Sequence, residues 1–299
     1  GRPCILTEHG IYTNERRIEI TAAQWLNDQK AMNLNIIRPN YERDLKDYWI
    51  DTFSGYSKLC YDSCDEIITL YEGNREFQIS DSADPKKIRI IPNGVNFKRF
   101  SSVGKLKKKQ PTVALVGRIV PIKDIKTFIR AVRFLTQQVP ALRAWVIGPT
   151  DEDKEYYEEC LDLVRKYHLS DTLKFTGKQI LEKCMGEVDV LVLTSISEAQ
   201  PLVILEFGSA GIPCVVTDVG ACRELVYGRS DENPPLGQAG EICPLSNPQA
   251  VASAIARLLF DKQFYQKCSR VIKKRVEIYY NEKDQANAYK RLYEQYING

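Results

Sequence analysis

The sequence predicts an α/β protein built around a doubly wound parallel sheet. From Pro111 onward, short runs rich in Val, Ile and Leu alternate with longer amphipathic stretches, and the runs end in loops that contain Gly or Pro. Hydrophobic residues make up 43% of the 299 residues and charged residues 27%, the composition of an ordinary globular protein. Because parallel βαβ crossovers are right-handed, an open, doubly wound sheet is the expected arrangement.

The most regular pattern lies in the second part of the chain. Six predicted strands follow one another: Thr112–Val116, Ala144–Ile147, Leu173–Thr176, Val188–Thr194, Pro213–Thr217 and Glu241–Cys243. The predicted helices are Asp124–Val139, Asp151–Tyr167, Pro201–Ala210 and Asn247–Phe260. Ligands of such sheets bind beyond the carboxyl ends of the strands, so we expect the functional residues in the loops that follow the strands.

The first hundred residues are less regular and predict a partial Rossmann-like lobe. The predicted elements are the strands Cys4–Thr7, Glu66–Leu70 and Ile88–Pro92 and the helices Arg43–Cys64 and Glu72–Ile79. Three strands do not make a self-sufficient doubly wound sheet. We therefore expect a partial first lobe at residues 1–104, a complete second lobe at residues 105–280, and a C-terminal helix at residues 281–299 that crosses back to the first lobe.

Composition argues against several classes of protein. The formal net charge is +3 and the basic residues are scattered, which does not indicate a nucleic-acid-binding protein. One basic cluster, Lys105 with residues 107–109, is interpreted as a solvated linker within residues 100–110, with anionic lipid or a partner protein as the alternative contact. Nine cysteines without a CxxC pair, together with only two histidines, predict no metal site.

The strongest functional pattern follows the fourth strand of the second lobe. Glu198 lies in the loop, Pro201 opens the helix, and Glu206 lies within that helix, with seven residues between it and Glu198. The free N–H groups of Leu202 and Val203 would favour a diphosphate, because a helix N-terminus attracts anions. Paired carboxylates accept hydrogen bonds from vicinal hydroxyls such as those of a sugar or a ribose.

Three further loops carry candidate residues. After the first strand of the second lobe, Gly117 is followed by Arg118 and Lys123, two cations suited to neutralising a departing diphosphate. His9 follows the first strand of the chain, where a neutral imidazole could accept a hydrogen bond from a sugar, although a structural role is equally compatible. The third loop follows Leu173–Thr176 and carries Lys178 and Gln179, where backbone groups could pair with the edge of a base. Gln200, in the loop of Glu198, is the last candidate.

These segments resemble a known family. EAQPLVILE matches the EX7E motif of the retaining GT4 glycosyltransferases, which have the GT-B fold, and VGRIVPIKD and IIPNGVN match two further segments of that group. TEHGIYTNERRIEI, ITLYEGNREFQI, PIKDIKTFIRAVR and TDVGACRELV resemble the PelF-type enzymes of Pel exopolysaccharide synthesis. The resemblance implies a GT-B protein that transfers a sugar, with glucose from UDP-glucose expected, to a growing polysaccharide with retention of configuration.

The resemblance also assigns roles and partners. It implies that Arg118 and Lys123 hold the diphosphate, that Glu206 binds the ribose and Glu198 the transferred sugar, and that His9 lies near the acceptor. It implies no cofactor or metal, and a cytoplasmic protein associated with inner-membrane Pel synthesis and export proteins. PelF-type proteins extend further at the amino terminus, so the resemblance implies that residues 1–104 are the later part of an acceptor-side lobe.

Three other functions are alternatives to that of a UDP-sugar-dependent transferase. An NAD-dependent oxidoreductase needs a GxGxxG fingerprint at the start of a βαβ unit, and the sequence has none. A related transferase with an ADP- or GDP-sugar donor stays open, because the choice of base depends on loop conformation. A non-catalytic, donor-binding scaffold of a membrane polysaccharide synthase stays open for this chain.

Overall fold

The computed structural model describes residues 2–10, 13, 15–17, 20, 45–106 and 110–297. The chain divides into two compact units, residues 1–92 with 293–299, and residues 93–292. The sequence had placed this boundary between residues 104 and 105. The difference arises because residues 93–106 pack within the second unit: Phe100 is buried, and the amide of Leu106 donates to the carbonyl of Gly186 at 2.9 Å.

The first unit contains a three-stranded parallel sheet in the order β1–β2–β3. Its elements are β1 (Ile5–Thr7), α1 (Leu45–Ser63), β2 (Glu66–Thr69), α2 (Glu72–Ser80) and β3 (Ile88–Ile90). Strand β2 lies in the middle and is buried along its whole length, as expected for a central parallel strand. The five elements predicted for this region are all present, with bounds that differ by a few residues.

The second unit contains a six-stranded, all-parallel sheet in the order β6–β5–β4–β7–β8–β9. Its strands are β4 (Thr112–Val116), β5 (Arg143–Ile147), β6 (Leu173–Gly177), β7 (Val190–Leu193), β8 (Cys214–Thr217) and β9 (Gly240–Cys243). This is the strand order of a dinucleotide-binding Rossmann sheet, in which the direction of winding reverses between the first and fourth strands. The predicted doubly wound parallel sheet is therefore confirmed.

Helices connect and cover these strands. They are α3 (Phe97–Ser101), α4 (Ile125–Gln138), α5 (Lys154–Lys166), α6 (Leu181–Cys184), α7 (Leu202–Ser209), α8 (Cys222–Tyr227), α9 (Pro248–Phe260), α10 (Lys262–Tyr279) and α11 (Glu282–Ile297). In α4, five buried residues recur at helical spacing and join the main core cluster: Ile125, Phe128, Ile129, Val132 and Leu135. Helix α9 packs against α4, and α10 packs against α7.

One expectation about the chain connections was wrong. The predicted linker, residues 100–110, begins inside α3, and the side chain of Lys105, although 49% exposed, is bonded to Tyr265 and Asp189; residues 107–109 lie outside the described residues. The helical stretch after Asp261 is two helices, because the chain breaks at Tyr280. There the amide of Val95 donates to the carbonyl of Tyr280 at 2.9 Å, so this strand-like contact replaces a helical turn.

Among the residues that the structure describes, no helix combines the length and the apolar character that crossing a bilayer requires.

Candidate functional site

The candidate site lies where the winding of the second sheet reverses. Strands β4 and β7 are neighbours at this point, and their carboxyl ends lie at the same edge of the sheet. The loop after β4 carries Lys123, and the loop after β7 carries Glu198. Open α/β sheets bind their ligands at this topological position, so the fold brings two of the predicted site residues to the expected place.

The loop after β4 makes a tight passage before it reaches Lys123. The amide of Gly117 donates to the carbonyl of Ile147 at 2.9 Å, and a Cβ on Gly148 would lie 1.9 Å from the carbonyl oxygen of Gly117. Only glycine at position 148 allows this approach. A single 3₁₀ turn then ends at Lys123, and Asp124, with φ of 44°, caps helix α4.

Lys123 and Glu198 form an ion pair although they are 75 residues apart in the sequence. Their side chains are only 17% and 11% exposed, so the pair is largely withdrawn from water. The same carboxylate oxygen, Oε1 of Glu198, accepts a hydrogen bond from Oγ of Ser195 at 2.6 Å. An ion pair with this degree of burial depends on its partners, because either charge alone would be costly to desolvate.

Arg118 takes a different direction from Lys123. Its side chain is 59% exposed, and its Nη1 donates to Oε2 of Glu152 at 3.2 Å. In the structure the two cations therefore contact two different carboxylates, Glu198 and Glu152, and the predicted convergence of Arg118 and Lys123 on one anion stays a prediction.

Buried hydroxyl groups attach the loop after β7 to its two neighbours. Thr194 donates from Oγ1 to the carbonyls of Lys123 and Asp124, at 3.1 and 2.9 Å. On the other side, Thr217 at the end of β8 donates from Oγ1 to the carbonyl of Ser195 at 2.6 Å. Sequence reasoning missed these residues. The available signal was a hydroxyl residue directly at the end of a buried apolar strand, where it can bond to carbonyls of the adjacent loop.

The loop after β8 packs against the backbone of Glu198 and Ala199. The amide of Ala221 donates to the carbonyl of Ala199 at 2.7 Å. Gly220 has a φ of +54°, and a Cβ there would lie 2.2 Å from the carbonyl oxygen of Glu198. Glycine is required at position 220 both for the left-handed conformation and for the close approach.

The helix that follows, α7, begins as the sequence predicts. Pro201 occupies the N-cap position and makes no side-chain capping bond, and Leu202 is exposed at the first turn. Gln200 is buried: its Oε1 accepts from the amide of Asn93 at 2.6 Å, while its Nε2 has no hydrogen-bond partner within the described part of the chain. A buried donor without a partner beside a helix N-terminus is suited to an anionic ligand. Val203 is partly buried in the same turn.

Glu206 lies on α7, one helical turn after Leu202, and is partly buried. Burial raises the pKa of its carboxyl group, and the nearby guanidinium of Arg99 opposes this shift. Arg99, on α3, forms an ion pair with Glu182 on α6, and Glu182 adds to the rise in the pKa of Glu206. Sequence reasoning missed both Arg99 and Glu182, whose proximity to Glu206 depends on the packing of α3 against α7.

The other predicted residues lie in separate loops. Lys178 and Gln179 are exposed after β6, where Gly177 has a φ of +67° and Nε2 of Gln179 donates to the carbonyl of Thr176 at 2.7 Å. His9 belongs to the first unit and is exposed directly after β1.

Glu8, the residue before His9, is hydrogen-bonded to two other side chains of the first unit. Oε2 of Glu8 accepts from the hydroxyl of Tyr61 at 3.0 Å and from Nε2 of Gln78 at 2.6 Å. The carboxyl end of β1 is therefore fixed, and the predicted role of His9 stays a prediction.

No group of three or more His, Cys, Asp or Glu side chains is arranged to hold a metal ion within residues 2–10, 13, 15–17, 20, 45–106 and 110–297. The predicted independence from metals and cofactors stays a prediction.

A cavity of about 690 Å³ opens in the second unit on the side of the sheet where β4 and β7 begin. Its lining includes Pro111 and Asp189, which directly precede β4 and β7. Lys105 is also part of the lining, and its Nζ contacts Oδ1 of Asp189 at 2.9 Å and the hydroxyl of Tyr265 at 2.8 Å. Ligands of this type of sheet bind at the carboxyl ends of the strands, so this cavity is not the candidate donor site.

Several known sequences are similar to this chain, and two of them illustrate the range. The UDP-Gal:alpha-D-GlcNAc-diphosphoundecaprenol alpha-1,3-galactosyltransferase of Escherichia coli is 26% identical over 212 residues, which are 66% of this chain and 51% of that enzyme. The D-inositol 3-phosphate glycosyltransferase of Actinosynnema mirum is 30% identical over 156 residues, 46% of this chain and 37% of that enzyme. The chain spans about half the length of the first relative and less of the second.

Solved structures share the fold. HepE of Anabaena, in complex with UDP and glucose, has a TM-score of 0.73 at 17% identity, with 97% of this chain and 71% of HepE covered. Sucrose-phosphate synthase of Thermosynechococcus elongatus has a TM-score of 0.73 at 21% identity, with 98% of this chain and 68% of the synthase covered. Together with the parallel sheets described above, these likenesses confirm the predicted GT-B fold class.

Two family profiles also match the chain. A profile described as a domain of unknown function, DUF3492, matches residues 1–86. The profile described as Glycosyl transferases group 1 matches residues 96–275, more than half of the chain, and this range includes Lys123, Glu198 and Glu206. The chain therefore belongs to the glycosyl transferases group 1 family.

Proposed function

We propose that the second unit binds a UDP-hexose and that the chain is part of a retaining glycosyltransferase. The observation that carries this proposal is the meeting of Lys123 and Glu198 at the point where the sheet reverses its winding, next to the N-terminus of α7. A cation and a helix N-terminus suit a diphosphate, and carboxylates suit the hydroxyls on either side of it. This division of the site matches the three chemical parts of a nucleotide sugar.

Relatives support UDP as the nucleotide. The name of the Escherichia coli relative specifies a UDP-galactose donor, and HepE was solved with UDP and glucose. We propose the same nucleotide for this chain and glucose as its sugar. ADP- and GDP-sugars are the alternatives that a binding experiment distinguishes.

The proposed roles follow from the charge and burial of each residue. Lys123 holds the diphosphate together with the first N–H groups of α7 and Nε2 of Gln200, which has no hydrogen-bond partner among the described residues. Glu198 accepts hydrogen bonds from the transferred sugar, and Glu206 accepts from the ribose. Arg118 and its partner Glu152 are both exposed, so the guanidinium can leave this carboxylate and bind a phosphate instead.

In the proposed transfer, the bond between the anomeric carbon and the diphosphate oxygen breaks, and its electron pair leaves with UDP. The acceptor hydroxyl attacks the same face and passes its proton to the departing phosphate oxygen. The charge on the diphosphate grows during this step, so the electrostatic stabilisation by Lys123 grows with it. The new glycosidic bond keeps the configuration of the donor.

We further propose a growing exopolysaccharide of the Pel type as acceptor. In that case the chain works on the cytoplasmic side of the membrane, in contact with membrane-embedded Pel synthesis and export proteins. The support for this acceptor is the resemblance of segments such as TEHGIYTNER and PIKDIKTFIRA to PelF-type enzymes.

Calorimetric titration with UDP, ADP, GDP and NAD tests the proposal. We expect UDP to bind, and Lys123→Ala and Glu206→Ala each to weaken it at least tenfold, about 1.4 kcal/mol. The matched control is Lys126→Ala, three residues further along, whose ammonium bonds Glu159 at 2.7 Å and should leave the affinity unchanged. An absence of UDP binding, or equal effects of Lys123→Ala and Lys126→Ala, would contradict the assignment.

A further inference from the structure

In the structure, the two residues that the donor needs most are bonded to each other. Nζ of Lys123 contacts Oε1 of Glu198, and both side chains are largely buried. Ser195 is fully buried and donates to the same oxygen at 2.6 Å, which keeps the carboxylate directed towards the ammonium. The pair is therefore a built feature of the loop rather than a chance surface contact, because surface pairs are exposed and weakly held.

This pairing has a consequence that rests on the donor site proposed above. A diphosphate that binds Lys123 must replace the carboxylate of Glu198 as its partner. It also brings negative charge close to that carboxylate, and the repulsion is strong where water is largely excluded. Binding of the diphosphate alone is therefore opposed by Glu198.

The sugar changes this balance. Its hydroxyls are hydrogen-bond donors, so an intact nucleotide sugar gives Glu198 new partners when the bond to Lys123 is lost. A nucleoside diphosphate has no group in that position and leaves the buried carboxylate without compensation, which is costly. The same residue therefore favours one ligand and opposes the other.

We propose that Glu198 discriminates between the loaded donor and the spent nucleotide. When the sugar has been transferred, the carboxylate pairs again with Lys123 and so promotes release of UDP. Ser195 is a positioning residue in this scheme, because its hydroxyl holds the carboxylate within reach of the ammonium.

Glu198→Gln tests this scheme because it keeps the shape of the side chain and removes its charge. We expect the variant to bind UDP more tightly than the wild type, by roughly fivefold or more, and UDP-glucose no more tightly. The ratio of the dissociation constants of UDP and UDP-glucose therefore falls. If Glu198 only contacted the sugar, the substitution would leave the affinity for UDP unchanged. If Glu198 only maintained the fold, the substitution would weaken the binding of both ligands.

The experiment is calorimetric titration of the whole chain with UDP and with UDP-glucose. Glu198→Ala is the second variant and should also tighten UDP binding, so the scheme remains testable if Glu198→Gln folds poorly. Glu159→Gln is the matched control, since it neutralises an exposed carboxylate that pairs with Lys126 outside the proposed donor site. Unchanged or weaker UDP binding by the folded Glu198 variant overturns the scheme while the donor site stands, whereas a wild type that does not bind UDP overturns both.

Discussion

Replacing Gly220 with alanine tests whether the loop after β8 sets the position of Glu198. The new Cβ would lie 2.2 Å from the carbonyl oxygen of Glu198 and 2.4 Å from that of Ala199. Both are backbone atoms, so no side-chain rotation relieves the clash and one of the loops must move. The residue would also have to keep a φ of +54°.

The expected loss of stability has two parts. The left-handed conformation costs an alanine about 1–2 kcal/mol relative to glycine, and forced backbone shifts add about 1–3 kcal/mol. Gly177→Ala is a matched control, because Gly177 has a φ of +67° but no atom within 4 Å of its would-be Cβ. The control carries the conformational cost and the change in unfolded-state entropy, which Gly→Ala substitutions share. The difference between the two variants is therefore the clash alone.

Urea unfolding followed by circular dichroism measures both variants. We expect Gly220→Ala to lose about 1–3 kcal/mol more than Gly177→Ala, with an unchanged dependence on denaturant. Gly220→Ala should in addition weaken UDP binding by roughly tenfold or more, since its clash also displaces the backbone of Ala199, directly before Gln200 and the first turn of α7, which hold the diphosphate in the proposed site. Equal stability losses in the two variants would refute the claim that close backbone packing at position 220 holds the site.

Three further substitutions follow from the described contacts. Glu206→Gln should stabilise the protein measured without nucleotide at pH 8, by about 1.4 kcal/mol for each unit by which burial raises the pKa. In the wild type, the protonated carboxyl of Glu206 favours the folded state, and this contribution is lost as pH rises from the ordinary pKa of 4.5 through the raised pKa of the folded protein. Thermal unfolding should therefore show no difference between Glu206→Gln and the wild type below pH 4. Thr217→Val keeps the side-chain shape but leaves the carbonyl of Ser195 without its 2.6 Å bond, which should cost about 1–3 kcal/mol in urea unfolding. Arg118→Ala should change stability by less than about 1 kcal/mol, because its pair with Glu152 is exposed, and a calorimetric loss of UDP affinity would show that the guanidinium reaches the diphosphate.

The fold could be predicted from the sequence because its signals are local. The central strands of the second sheet, β4, β7 and β8, are short, buried apolar runs, and α4 shows the helical period in its five buried positions. A separate C-terminal helix from residue 281 was expected, but the contact at the break between α10 and α11 was not predictable in this way. It depends on Val95, which lies far away in sequence and bonds to the chain at Tyr280 and Glu282.

The site was predictable only to the level of its loops. The rule for parallel sheets identifies the ends of β4 and β7, and therefore Lys123 and Glu198, without knowledge of their contact. The direction of Arg118 was not accessible, because it depends on the course of the loop after β4, whose backbone passes so close to Gly148 that a Cβ there would meet the carbonyl of Gly117. Ser195 was overlooked for a similar reason, since its role appears only when its hydroxyl is seen to bond Glu198.

The site separates groups that fix the backbone from groups that exchange partners. Thr194, Thr217 and Gly220 hold the loop after β7 by contacts to backbone carbonyls, which no ligand replaces. Lys123 and Glu198, in contrast, are bonded through side chains that a diphosphate and a sugar can each take over. Changes in the first group should therefore lower stability and affinity together, whereas a change of charge at Glu198 should move the affinities for UDP and for UDP-glucose apart. This difference in response distinguishes a site with an exchangeable ion pair from a loop that is merely well packed.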